Sequence, residues 1–116
     1  MKYLLLLANT EHRIRGWEEL DAAGRREAMA AELPGWNAFF ERAAPNVAGG
    51  LQLDLPRTAK TLRDGGIVTD GPYAETKEQV GGYLLVECES LDHAIDLAAL
   101  VPVAETGSVE IRPLYE

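Results

Sequence analysis

The apolar positions of this chain fall into three kinds of pattern, and their order along the sequence outlines a fold. Tyr3 to Ala8 is an unbroken apolar run between Lys2 and Asn9, which is how a strand covered on both faces reads. Asn9 to Arg15 is polar and expected as loop, with Trp17 to Leu20 as a short helical turn and Asp21 as the N-cap of the next helix. From about Ala22 to Ala44, Met29, Leu33, Trp36, Phe40 and Ala43 recur at helical spacing, predicting one helix with a single buried stripe. Pro34-Gly35 interrupts it. Because proline lacks the N–H and crowds the preceding turn, either a kink or two helices, the second opened by Pro34, is expected. Pro45-Asn46 ends the pattern.

Beyond Gly49-Gly50, residues Leu51 to Leu55 alternate and predict a strand with one leucine face. Residues 59–63 and 67–69 flank Asp64-Gly65-Gly66, a hairpin signal. Tyr83 to Glu89 is a second apolar strand. Ser90 caps a helix in which Leu91, Ala94, Ile95 and Ala98 share a face, stopped by Pro102. Ser108 to Leu114 alternates again, with Val109 and Ile111 on one side and Glu110 and Arg112 on the other. The order is the split βαβ arrangement of an α+β, ferredoxin-like fold: a four-stranded antiparallel sheet, an extra hairpin, and helices on one face. The first strand is apolar throughout, so its second face also needs cover. Pairing of two sheets face to face supplies it, and a homodimer is expected.

Composition narrows the function classes. A chain of 116 residues with 47% apolar content reads as a single domain, residues 1–116, with one core. Net charge is −8, from 19 acidic and 11 basic residues, and no basic run exceeds Arg25-Arg26. Nucleic acid and anionic membrane surfaces are therefore not expected partners. One cysteine, Cys88, excludes an internal disulfide and a cysteine-rich zinc site, and no spacing suggests any other metal or cofactor. The leucines of Leu4 to Leu7 give way to polar residues by Asn9, too early for a membrane span and without a small-residue cleavage site. A cytoplasmic location is the expectation.

Candidate chemistry gathers between residues 69 and 87, which hold a turn, a charge cluster, a double glycine and an apolar run. Asp70-Gly71-Pro72 predicts a tight turn. Asp70 fits two roles: side-chain cap of that turn, or a carboxylate held at a cleft as base or ligand anchor. Tyr73 fits a ligand hydrogen bond or a plug at the end of the core. Glu75, Lys77 and Glu78 fit a proton-transfer cluster or a solvated loop. Gly81-Gly82 reads as a bend, bulge or close approach. His12, after the first strand, is a further catalytic candidate, whereas His93 lies off the apolar face of its helix and reads as solvated. Arg112 suits a ligand carboxylate or a pair with Glu110 across the dimer. Cys88 reads as a small buried hydrophobe.

Asp70-Gly-Pro-Tyr-Ala-Glu-Thr-Lys-Glu-Gln-Val-Gly-Gly-Tyr83 resembles the signature of the YCII-related family, in the branch called DGPF domains. The Met1-Lys-Tyr-Leu start, Ser90-Leu-Asp-His-Ala94 and Gly107-Ser-Val-Glu-Ile-Arg-Pro113 are similar to that branch too, so the resemblance spans the chain. Tyr73 stands where the branch usually has phenylalanine. The resemblance implies a ferredoxin-like fold that dimerises through its sheets, in a dimeric α/β-barrel-like assembly. It implies little about activity: relatives include proteins proposed to use a His–Asp pair, a dehydrochlorinase-like lyase, and domains associated with extracytoplasmic-function sigma factors. The helical stretch Arg25 to Ala44, where some relatives carry their histidine, has none here. Two functions fit. One is a small-molecule binder or cofactor-free lyase- or isomerase-like enzyme with a pocket near the Asp70 turn, using Asp70 and His12 as catalytic groups and Tyr73, Glu75, Lys77 and Arg112 as ligand contacts. The other is a non-catalytic module that binds a protein partner.

Overall fold

The computed structural model describes residues 1–72 and 78–116. Strand β1, Lys2–Thr10, and strand β5, Glu78–Glu87, form the centre of a four-stranded sheet. Strand β2, Val47–Gln52, lies outside β5, and strand β6, Ser108–Pro113, lies outside β1, so the order is β2-β5-β1-β6 with every pair antiparallel. Strands β3, Lys60–Arg63, and β4, Ile67–Asp70, form a separate hairpin. Three helices complete the chain: α1, Glu11–Glu18, α2, Ala22–Ala43, and α3, Leu91–Ala98. The α+β class, the antiparallel sheet and the extra hairpin agree with the sequence pattern.

Alternation sorts the strands into two faces. Tyr3, Leu5 and Leu7 of β1 and Leu84 and Val86 of β5 point to the helices, where they join Phe39 and Ala43 of α2 and Ala94, Leu97 and Ala98 of α3 in the core. Val109 and Ile111 of β6 pair with Leu7 and Leu5 and pack on that core. Opposite them, Leu4, Leu6 and Ala8 share the second face with Tyr83, Leu85, Ser108, Glu110 and Arg112, as the register requires. No helix covers that face among the described residues.

Several details depart from the sequence pattern, among them the strand expected over 51–55, which instead runs Val47–Gln52 and includes Gly49 and Gly50. The polar stretch after β1 is helix α1, capped by Thr10, whose hydroxyl accepts from the Arg13 N–H. Pro34 neither splits nor ends α2, which runs unbroken from Ala22 to Ala43. The buried residues of α2 are Phe39 and Ala43, while Met29 and Leu33 are more than half exposed. In α3, Leu97 takes the buried place expected of Leu91 and Ile95. Ser90 does cap α3, accepting from the His93 N–H, and the His93 Nδ1 in turn accepts from the Glu89 N–H.

The double glycine has a structural task. Leu7 pairs with Gly82 and Ala8 with Val80, leaving Gly81 as the extra residue of a β-bulge. A side chain at Gly82 would stand 3.1 Å from the Leu51 carbonyl oxygen, so glycine lets β2 approach β5. Leu53 continues that pairing by donating to the Gly81 carbonyl at 2.8 Å.

Candidate functional site

Alternation along Leu51, Leu53 and Leu55 continues past the end of β2, and it points these leucines toward the face that the helices leave open. There the 53–59 segment folds over the sheet and roofs a cleft of about 770 Å³. Leu6 and Ala8 of β1 and Val80 of β5 line its floor. Leu53, Leu55, Pro56 and Ala59 line the roof, and Pro72 closes one side. Carboxylates and hydroxyls of Asp54, Thr58, Glu78, Ser108 and Glu110, with the amide of Gln79, supply the polar lining. A largely apolar concavity with a few convergent polar groups is the ordinary form of a small-molecule site.

Local hydrogen bonds build the roof. The Asp54 carboxylate accepts from the Leu55 N–H at 2.7 Å, and the Thr58 hydroxyl donates to the Leu55 carbonyl at 2.7 Å. Proline at position 56 opens a single helical turn, 56–58, closed by the Ala59 N–H on the Pro56 carbonyl. The hairpin then anchors at its base: the Gly71 N–H donates to the Ala59 carbonyl at 2.8 Å, and the buried Thr61 hydroxyl donates to the Gly71 carbonyl at 2.8 Å. Gly71 has φ +89°, a conformation that side-chain-bearing residues rarely adopt, and this turn delivers Pro72 to the cleft wall.

On the β6 side, Ser108 donates to the Glu78 carboxylate. The two residues come from strands on opposite sides of β1, and register explains their meeting: Ser108 pairs with Ala8, and Glu78 pairs with Thr10. Glu110, two residues further along β6 and on the same face, holds the Arg112 guanidinium at 2.5 Å.

The sequence candidates are distributed unevenly around this cleft. Asp70 is at the base of the hairpin, its side chain 86% exposed and ion-paired with Lys60, the residue opposite it in the β3–β4 register. The Lys60 hydrogen bond, and then its charge, hold the Asp70 carboxyl below its ordinary value. The turn that Asp70 opens borders the cleft, but Asp70 does not line it. His12 is exposed on α1 and lies outside the lining. Arg112 is on the open face, as its alternation requires, and its partner Glu110 belongs to the same strand. Tyr73, Glu75 and Lys77 lie outside the described residues. Burial pushes the Cys88 thiol up, in keeping with a core role. Among the described residues, no three His, Cys, Asp or Glu side chains gather into a metal-ion set.

Ser108, Asp54 and the 53–59 roof were not legible as site residues. No motif joins them; they meet only through strand register and the fold of the segment after β2.

The chain matches the YCII-related domain over residues 1–116. It is 52% identical over 120 aligned residues to an uncharacterized protein of Rhizobium meliloti (strain 1021), covering 98% of this chain and 92% of the relative. In structure it is similar to 5-chloro-2-hydroxyhydroquinone dehydrochlorinase (TftG) from Burkholderia phenoliruptrix AC1100, in complex with 2,5-dihydroxybenzoquinone. That likeness has a TM-score of 0.52 at 17% identity and covers 100% of this chain and 95% of the other.

Proposed function

This chain belongs to the YCII-related family, and on that footing we propose that it binds a small organic molecule in the cleft beneath the 53–59 segment. The observation that carries this reading is the cleft itself: an apolar floor and roof with a few carboxylates and hydroxyls contributed by both the sheet and the 53–59 segment. Membership in the family leaves the ligand open, and the dehydrochlorinase, at 17% identity, supports the fold alone. Its complex with 2,5-dihydroxybenzoquinone is nevertheless one case of this fold holding a small ring.

Within this reading the chemistry is lyase- or isomerase-like and uses no cofactor, because carboxylates suited to proton transfer border the cleft. Asp70, in the turn that borders the cleft, remains the candidate base or ligand anchor, with Arg112 on the same open face as a candidate polar contact; His12 lies outside the described lining. A second reading rests on one observation. The β3–β4 hairpin exposes Leu62, Ile67 and Val68, each more than half accessible, and such a patch suits a protein partner.

A thermal-shift screen of the native protein against a metabolite library that includes 2,5-dihydroxybenzoquinone tests the first reading. A ligand at a hundredfold excess over its Kd stabilises by about 2.7 kcal/mol, which is several degrees in Tm for a chain of this size. Val80→Trp, which fills the cleft from an exposed position, is expected to abolish the shift. Hits that survive Val80→Trp unchanged contradict the reading.

A further inference from the structure

We infer that the outer edge of strand β2 is a docking site for an extended segment of a partner protein, which joins the four-stranded sheet as a further strand. The inference is independent of the cleft.

Hydrogen-bond phase decides which backbone groups of β2 are spare. Leu53 donates to the Gly81 carbonyl, and in the same register Leu51 faces Tyr83 and Gly49 faces Leu85, so β5 uses the backbone groups of these three. Gly50 and Gln52 take the alternate positions, opposite Leu84 and Gly82. The strands come closest there, and a side chain at Gly50 would stand 2.6 Å from the Tyr83 carbonyl oxygen. The N–H and C=O groups of Gly50 and Gln52 therefore point away from β5. Among the described residues β2 pairs with β5 alone, and residues 48–54 are all exposed.

The two edges of the sheet differ in how they are guarded. Edge strands usually carry charges or proline, which deter pairing with another chain. Strand β6 has both, in Glu110, Arg112 and Pro113. Strand β2 has neither: no residue from Ala43 to Leu53 is charged, the longest uncharged run of the chain. Leu51 and Leu53, 67% and 48% accessible, stand at this edge on the open face, where an incoming apolar side chain packs against them.

A second copy of the chain is the competing occupant. Each copy carries a net charge of −8, and Asp54 directly follows the edge. Charge therefore favours a segment that brings Lys or Arg at its ends over another acidic chain. The partner class is an extended segment with alternating apolar residues and basic flanks, held chiefly by main-chain hydrogen bonds.

Amide exchange followed by NMR reads the edge directly. In the free protein the Gly50 and Gln52 amides are expected to exchange fast, and those of Leu51 and Leu53 slowly. The probe is the peptide acetyl-Lys-Val-Thr-Val-Thr-Val-Lys-amide. At ten times its Kd it is expected to slow the Gly50 and Gln52 amides about tenfold. The same peptide methylated on every backbone nitrogen is expected to give no protection, and one with Glu for both Lys to bind about fivefold weaker. Gln52→Pro removes an outward N–H without touching a bond to β5, and Leu51→Lys puts a charge on the edge. Each is expected to abolish the protection, and either suffices if the other does not fold. No protection at millimolar peptide overturns the inference, as does equal protection by the methylated or the Glu-flanked peptide. Protection that appears without peptide and grows with protein concentration assigns the edge to a second copy and overturns it too.

Discussion

Asp70 shows how far a residue type in a good local context can be read. The Asp-Gly-Pro turn was legible, and Gly71 has the positive φ that such a turn needs. The chemical role was not, because the group that occupies the carboxylate, Lys60, lies ten positions earlier and meets it only through hairpin register. Lys60 holds the folded carboxyl below its ordinary value of 3.8, so the pair contributes to stability above about pH 4 and loses that contribution as pH falls through the folded value. Carbon-detected NMR titration of Asp70 is expected to give a midpoint below 3.8, returning to the ordinary value in Lys60→Gln. An unchanged midpoint in Lys60→Gln contradicts the assignment.

Helix α2 shows the same limit in a whole element. Spacing correctly predicted a helix through this region and placed Ala43 in the core, but it assumed core along the whole length. Instead, none of residues 22–38 is buried, and α1 runs beside the first part, where Arg13 pairs with Glu32 at 2.9 Å and the Arg25 guanidinium lies 5.5 Å from the Trp17 ring centroid. A periodicity carries no record of where the sheet beneath ends. Phe39, flanked by Trp36 and Phe40 with ring centroids 5.9 and 5.1 Å away, is the residue the core closes on. Phe39→Ala is therefore expected to cost about 3–5 kcal/mol by chemical denaturation, and Leu33→Ala within about 0.5 kcal/mol. Comparable losses from the two substitutions contradict this placement. Helix α1 escaped notice because Ile14 and Trp17 are its only large apolar residues, too few to set a period. Its signal was the Thr10 cap, reinforced by the Glu11–Arg15 pair one turn apart.

The whole molecule is thin, about 41 × 41 × 20 Å, with helices over one side of the sheet. The other side carries Leu4, Leu6, Tyr83 and Leu85, all half-buried, beside the cleft mouth. The apolar run of the first strand predicts apolar residues on both of its faces, and the register bears this out. Nothing in the sequence pattern reveals that the roof segment turns part of the open face into a cleft, because a roof is a tertiary contact between residues far apart in the chain. We propose that two copies pair through the open face, since an uncovered apolar sheet face favours association. Sedimentation velocity is expected to return a dimer at micromolar concentration for the native chain and a monomer for Leu85→Lys; a native monomer contradicts the pairing. Ligand binding in the cleft is tested most sharply by a crystal structure of the protein soaked with the strongest thermal-shift hit. The ligand's apolar body is expected against Leu6, Ala8 and Val80, with its polar groups toward the Ser108 side of the lining. A ligand seated instead on the Leu62–Val68 face of the hairpin, with the cleft empty, would show that the cleft is not the binding site.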